Sequence, residues 1–108
     1  MDKGLQHEKI VNGLSELYKA KNADYGDSVH DTYLKYGLTS FLVRMEDKMS
    51  RLRSLSKKSE EERKVKDESI RDTLLDLANY AIIAVIEMDE EAEKKKLFSD
   101  NVTKLSAF

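Results

Sequence analysis

The sequence predicts an all-α fold: a small helical bundle with three main helices and shorter ones, completed by pairing of chains. Three observations carry this. Apolar residues recur at spacings of three and four in three separate segments, the period of an amphipathic helix. The chain of 108 residues holds four glycines and no proline, too few turn residues for a β-sandwich. Charged residues make up 37% and hydrophobic ones 40%, which suits long solvated helix faces around one modest core.

The first helix is predicted over residues 2–22, where Ile10, Val11, Leu14, Leu17 and Tyr18 repeat between charged positions. Residues 22–28, NADYGDS, crowd Asn, Asp, Gly and Ser and predict a loop, with Tyr25 its one large ring. Ser28 is expected to cap a short helix through about Tyr36, and Gly37 to close it in a left-handed conformation. Thr39 or Ser40 then caps the second main helix, whose apolar face is Leu38, Phe41, Leu42, Met45, Met49 and Leu52. Residues 56–68, SKKSEEERKVKDE, read as a solvated, partly helical connector. The third main helix is predicted over 69–93, capped by Ser69. From Leu74 to Ile86 it is apolar nearly all round, so other helices must surround it. One chain of this size can hardly supply them, and a homodimer or higher homo-oligomer built on this helix is expected. Residues 1–96 form a single domain in this reading. The tail, residues 97–108, predicts a short helix capped at Ser99, docking through Leu97, Phe98, Val102, Leu105 and Phe108 on the body or on a partner chain.

Composition excludes several functions. Without cysteine there are no disulfides, thiolate nucleophiles or zinc–thiolate sites. The net charge is −2, from 19 Lys+Arg and 21 Asp+Glu, whereas nucleic-acid and anionic-membrane binders usually carry a basic excess. No apolar run is long enough to span a membrane, and the opening MDKGLQHEKI lacks a signal-peptide core, so a cytoplasmic location is expected. His7 and His30 are isolated, with no partner at metal-binding spacing and no Ser–His–Asp arrangement. Glycine-rich phosphate loops and dinucleotide fingerprints are absent.

The chemistry concentrates on the third helix. Asp72, Asp76 and Asn79 follow i, i+4 and i+7 and share one face within about 60° of arc, with Tyr80 beside them. A carboxylate on a mostly apolar helix must be paired or hold a cation. Pairing with an Arg or Lys of the second helix is one solution; Mg²⁺, held with substrate phosphate, is the other. The second helix offers Arg44, Lys48 and Arg51 along one flank of its apolar face, able to pair with Asp72 or Asp76 or to clamp phosphate. The loop adds Lys21, Tyr25 and Gly26: a cation, a stacking ring and room for close backbone approach.

Three segments, KNADYGDS, LVRMEDKMSRL and DESIRDTLLDLANYAIIAVIEM, resemble in this order the nucleotide modification associated domain family, type one, over about residues 19–88. That resemblance implies a small all-α protein of nucleotide handling, often encoded by bacteriophages and acting in the host cytoplasm. A more remote similarity is to the MazG-like all-α nucleotide pyrophosphohydrolases, which bind Mg²⁺ through Glu-Glu-x-x-Glu on one helix and Glu-x-x-Asp on a later one. Here Glu46-Asp47 stand at the first two acidic positions and Ser50 at the third; Asp76 and Asn79 stand at the second motif.

Three functions follow as expectations. The first is a nucleotide-binding protein using Lys21, Tyr25, Gly26, Arg44, Lys48, Arg51, Asp76, Asn79 and Tyr80, which in a phage setting would sequester a host immune cyclic nucleotide as an anti-defence protein. The second is a Mg²⁺-dependent pyrophosphohydrolase with metal on Glu46, Asp72 and Asp76. The third is a helical module that binds a host protein. No catalytic residue is assigned.

Overall fold

The computed structural model describes the backbone of residues 1–25, 27–57 and 63–106, and the side chains of 1–22, 27–57 and 66–105. Among the described residues there are four helices and no strand: α1 (Lys3–Tyr25), α2 (Ser28–Tyr36), α3 (Thr39–Ser56) and α4 (Arg63–Ser106). The all-α expectation holds, with three long helices and one short one.

The boundaries differ from the sequence reading in three places. α1 continues to Tyr25, through Asn22 and Asp24, which were expected in a loop. Asn and Asp disfavour helix by well under 1 kcal/mol each, too little to stop a helix already under way. α4 begins at Arg63, inside the expected connector; residues 58–62 of that connector lie outside the described residues. Most strongly, α4 runs unbroken to Ser106, so Ser69 and Ser99 are interior and the tail is not a separate helix. Between Arg63 and Ser106 there is neither glycine nor proline, and Glu, Lys and Arg are good helix formers. Glu90–Lys94 and Glu91–Lys95 pairs, each at 3.2 Å, bridge successive turns where the helix was expected to end. Leu97, Phe98, Val102 and Leu105 are exposed, with Phe98 at the edge of a hollow that Tyr33 and Leu34 of α2 also line; Phe108 lies outside the described residues.

Gly37 ends α2 with φ 64° and ψ −151°, a region open to glycine, and its N–H donates to the Tyr33 carbonyl at 2.7 Å. This turns the chain into α3. Neither Thr39 nor Ser40 caps α3: Leu38 holds that position without a side-chain bond, and Ser40 Oγ donates instead to the Gly37 carbonyl at 2.9 Å. Asp27 rather than Ser28 precedes α2, also without a side-chain cap bond.

α3 and α4 lie antiparallel, since Phe41 meets Ala84 while Lys48 meets Asp76. The core gathers Tyr33 of α2, Phe41 of α3 and Ala84 of α4, with Val29, Tyr80 and Ile83 packed on them. Phe41 is wholly buried, and its ring is tilted 56° against that of Tyr33 at 5.8 Å. α1 contributes the buried Leu14. Much of α4 is uncovered: Leu74, Ile82, Val85 and Ile86 are between 42% and 55% exposed. No helix among the described residues is long and apolar enough to cross a membrane.

A candidate anion cleft between four helices

Asp76 stands at the centre of the site. Its carboxylate accepts a hydrogen bond from Lys48 Nζ of α3 at 3.2 Å and faces Lys21 Nζ of α1 at 3.8 Å. One turn on, the Arg44 guanidinium lies 5.8 Å from the centre of the Tyr80 ring, a cation–π approach. Antiparallel packing explains the convergence. Arg44 and Lys48 are one turn apart on α3, and Asp76 and Tyr80 one turn apart on α4, so each cation meets its partner at the same level.

The Asp76 side chain is 32% exposed, because a cleft of about 440 Å³ opens beside it. Tyr18, Lys21 and Asn22 come from α1, Asp27, Ser28 and Val29 from around the start of α2, and Arg44 and Lys48 from α3. α4 supplies the floor from Asp76 through Asn79, Tyr80 and Ile83 to Glu87, a span of about 16 Å at 1.5 Å per residue. Charge is divided along this floor. Lys21, Arg44 and Lys48 gather at the Asp76 end, whereas Glu87 and Asp27 belong to the other.

At the far end His30 Nδ1 lies 2.7 Å from Glu87 Oε2 and 4.0 Å from Glu90. Ligand atoms of these three residues all fall within 4.8 Å of one another, the one group of this kind among the described residues. The hydrogen bond to Glu87 raises the His30 pKa above its ordinary 6.5, and the charges of Glu87, Asp27 and Glu90 add to it against the pull of partial burial. A raised imidazole pKa stabilises the fold fully below 6.5, and that stabilisation is lost as pH rises through the folded-state value. The thermal midpoint is therefore expected to fall as pH rises above about 6.5, and Glu87→Gln to remove most of the slope. An unchanged slope in that variant would assign the titration to another group. Nearby, the Tyr33 hydroxyl donates to Glu91 at 2.5 Å; this bond, helped by Lys95, holds the Glu91 carboxyl below its usual range.

Of the residues expected at the site, the structure brings together Lys21, Arg44, Lys48, Asp76, Asn79 and Tyr80. Arg51, one turn past Lys48, is exposed and outside the lining. The side chain of Tyr25 and all of Gly26 lie outside the described residues. The three carboxylates expected to share Mg²⁺ are not brought together. Glu46 is 67% exposed and accepts from Arg53 at 2.6 Å, and Asp72 is exposed and outside the lining. Sequence reasoning missed Tyr18, Asn22, Asp27, Ser28 and the His30–Glu87 pair. That pair spans 57 positions, and no spacing rule reaches so far.

Fold and cleft define a small all-α protein that presents converging cations beside an open, ring-lined hollow. The chain belongs to the family described as nucleotide modification associated domain 1, whose sequence model matches residues 21–88. That span holds every residue lining the cleft except Tyr18. No curated protein and no solved structure matches the chain.

Proposed function

We propose that the protein binds a nucleotide, with phosphate at the Lys21–Arg44–Lys48 end of the cleft and the base toward Tyr18, Tyr80, Val29 and Ile83. The observation that carries this reading is the convergence of Lys21 and Lys48 on one partly open carboxylate, with Arg44 over the Tyr80 ring one turn on and Tyr18 in the same lining. Arg can grip phosphate through its fork and Lys as a point charge, while the rings offer faces to a base. The family description points to the same class of ligand. A volume of about 440 Å³ lies toward the small end of the usual range for ligand pockets, and favours a mononucleotide over a cyclic dinucleotide. Sequestration of a signalling nucleotide is binding of this kind without turnover. Mg²⁺-dependent hydrolysis has less support, since Glu46 is engaged with Arg53 outside the cleft.

The test is calorimetric titration of the whole protein with nucleoside mono- and triphosphates and with cyclic mono- and dinucleotides, with and without EDTA. The expected result is saturable binding of a phosphate monoester that survives EDTA and weakens with salt. Absence of binding by all four classes would refute the proposal, and appearance of nucleoside monophosphate from triphosphate only when Mg²⁺ is present would replace it with hydrolysis.

A further inference from the structure

The side of α4 turned away from the cleft carries a second pattern. Leu74, Ala78, Ala81, Val85, Met88 and Ala92 follow spacings of 4, 3, 4, 3 and 4, and all six are exposed. This is the repeat of a helix–helix seam. By helical geometry the six fall within about 80° of arc, roughly 160° from the mean direction of the cleft residues on the same helix. The seam is about 27 Å long.

The chain as a whole is short of buried surface. It exposes 8683 Å², whereas a compact monomer of 12.4 kDa exposes about 6,100 Å². Its radius of gyration is 19.0 Å, against about 13 Å for a compact chain of this length. The excess surface, about 2,500 Å², is some three times what one partner buries in a standard stable interface.

We infer that two copies of this chain pair back to back through antiparallel α4 seams, leaving both clefts open. Centring the two-fold axis between Ala78 and Ala81 stacks Leu74 on Val85 of the partner subunit and Ala78 on Ala81 of the partner subunit. Small side chains meet in the middle, where the axes can approach to about 8 Å, and larger ones flank them. The same register sets Arg71 on the flank of the seam against Asp89 of the partner subunit, twice per dimer. Both residues are exposed and make no ion pair among the described residues of one chain. A parallel arrangement would leave these charges without opposite partners and bring the two Lys94–Lys96 runs to one end. The antiparallel dimer uses neither the cleft nor its ligand, so it stands or falls apart from the proposed function.

Sedimentation equilibrium of the full chain is expected to give twice the 12.4 kDa chain mass. Ala81→Glu, at an exposed position that spares the monomer fold, is expected to raise the dissociation constant on the order of 100-fold with helical circular dichroism unchanged. Arg71→Glu alone is expected to raise it roughly 10-fold, and the paired exchange Arg71→Asp with Asp89→Arg to restore it. Orientation is read by cross-linking, because the native chain has no cysteine. Leu74→Cys protein mixed with Val85→Cys protein is expected to form the mixed disulfide, whereas Leu74→Cys protein alone is not. A monomer at all concentrations, a dimer indifferent to Ala81→Glu, or ready self-cross-linking of Leu74→Cys protein would each overturn the inference.

Discussion

Replacing Phe41 by alanine is expected to destabilise the protein by about 3–5 kcal/mol. Phe41 is fully buried in the cluster where α2, α3 and α4 meet. Its loss removes the Tyr33 ring contact and opens a hollow among Tyr33, Ala84, Val29 and Ile83 that rigid helices cannot close. A chain of this length has a total stability of about 5–15 kcal/mol, so the variant would sit near the edge of folding. Urea unfolding at one fixed protein concentration measures the effect, since the inferred self-association would make the midpoint depend on concentration. Phe41→Leu is expected to recover most of the loss. A change below about 1 kcal/mol in Phe41→Ala would mean that the α2–α3–α4 cluster is not what holds the fold.

The second large effect concerns the cleft. Lys48→Ala is expected to weaken nucleotide binding by about 10- to 100-fold, because a charge-assisted hydrogen bond to phosphate is worth about 1.5–3 kcal/mol. Lys48 is the cation closest to Asp76, 28% exposed and fixed by its 3.2 Å bond, so little ordering is needed when a ligand arrives. Arg51→Ala serves as the control on the same helix. It lies outside the lining, and its affinity is expected to stay within about twofold of the unmodified protein. Calorimetry with the best-bound nucleoside phosphate measures both. Equal losses in the two variants would show a diffuse electrostatic effect instead of a clamp at Lys48.

The fold class was legible because it rests on periodicity, and the three long helices obey it. Helix ends were less legible. NADYGDS looks like a loop by composition, but propensity differences of a few tenths of a kcal/mol yield to a helix already nucleated. The charged run from Arg63 and the tail were read as helical in part, but as separate from the third main helix; with no glycine or proline between them, one helix takes in all three. At the site, Asp76, Asn79 and Tyr80 were readable as a polar stripe in an apolar helix, and Arg44 and Lys48 as a flank one turn apart. Arg51 fits the same spacing, but only packing decides which turn of α3 faces α4. Tyr18 and the His30–Glu87 pair were illegible because they depend on where α1 and α2 come to rest against α4. No local pattern encodes that placement.

Asp76 also acts as a tethered counter-ion. Its single negative charge offsets one of the two positive charges of Lys21 and Lys48 and eases their mutual repulsion. On the proposed function, an arriving phosphate would enter by ion exchange, displacing a resident monoanion from the same ammonium groups. A diester brings one negative charge, no more than the carboxylate already supplies, whereas a terminal monoester near neutral pH brings about −1.5 to −2. On that reading the carboxylate would work as a valence filter, tilting the cleft toward chain-terminal phosphate and away from the uninterrupted backbone of a nucleic acid.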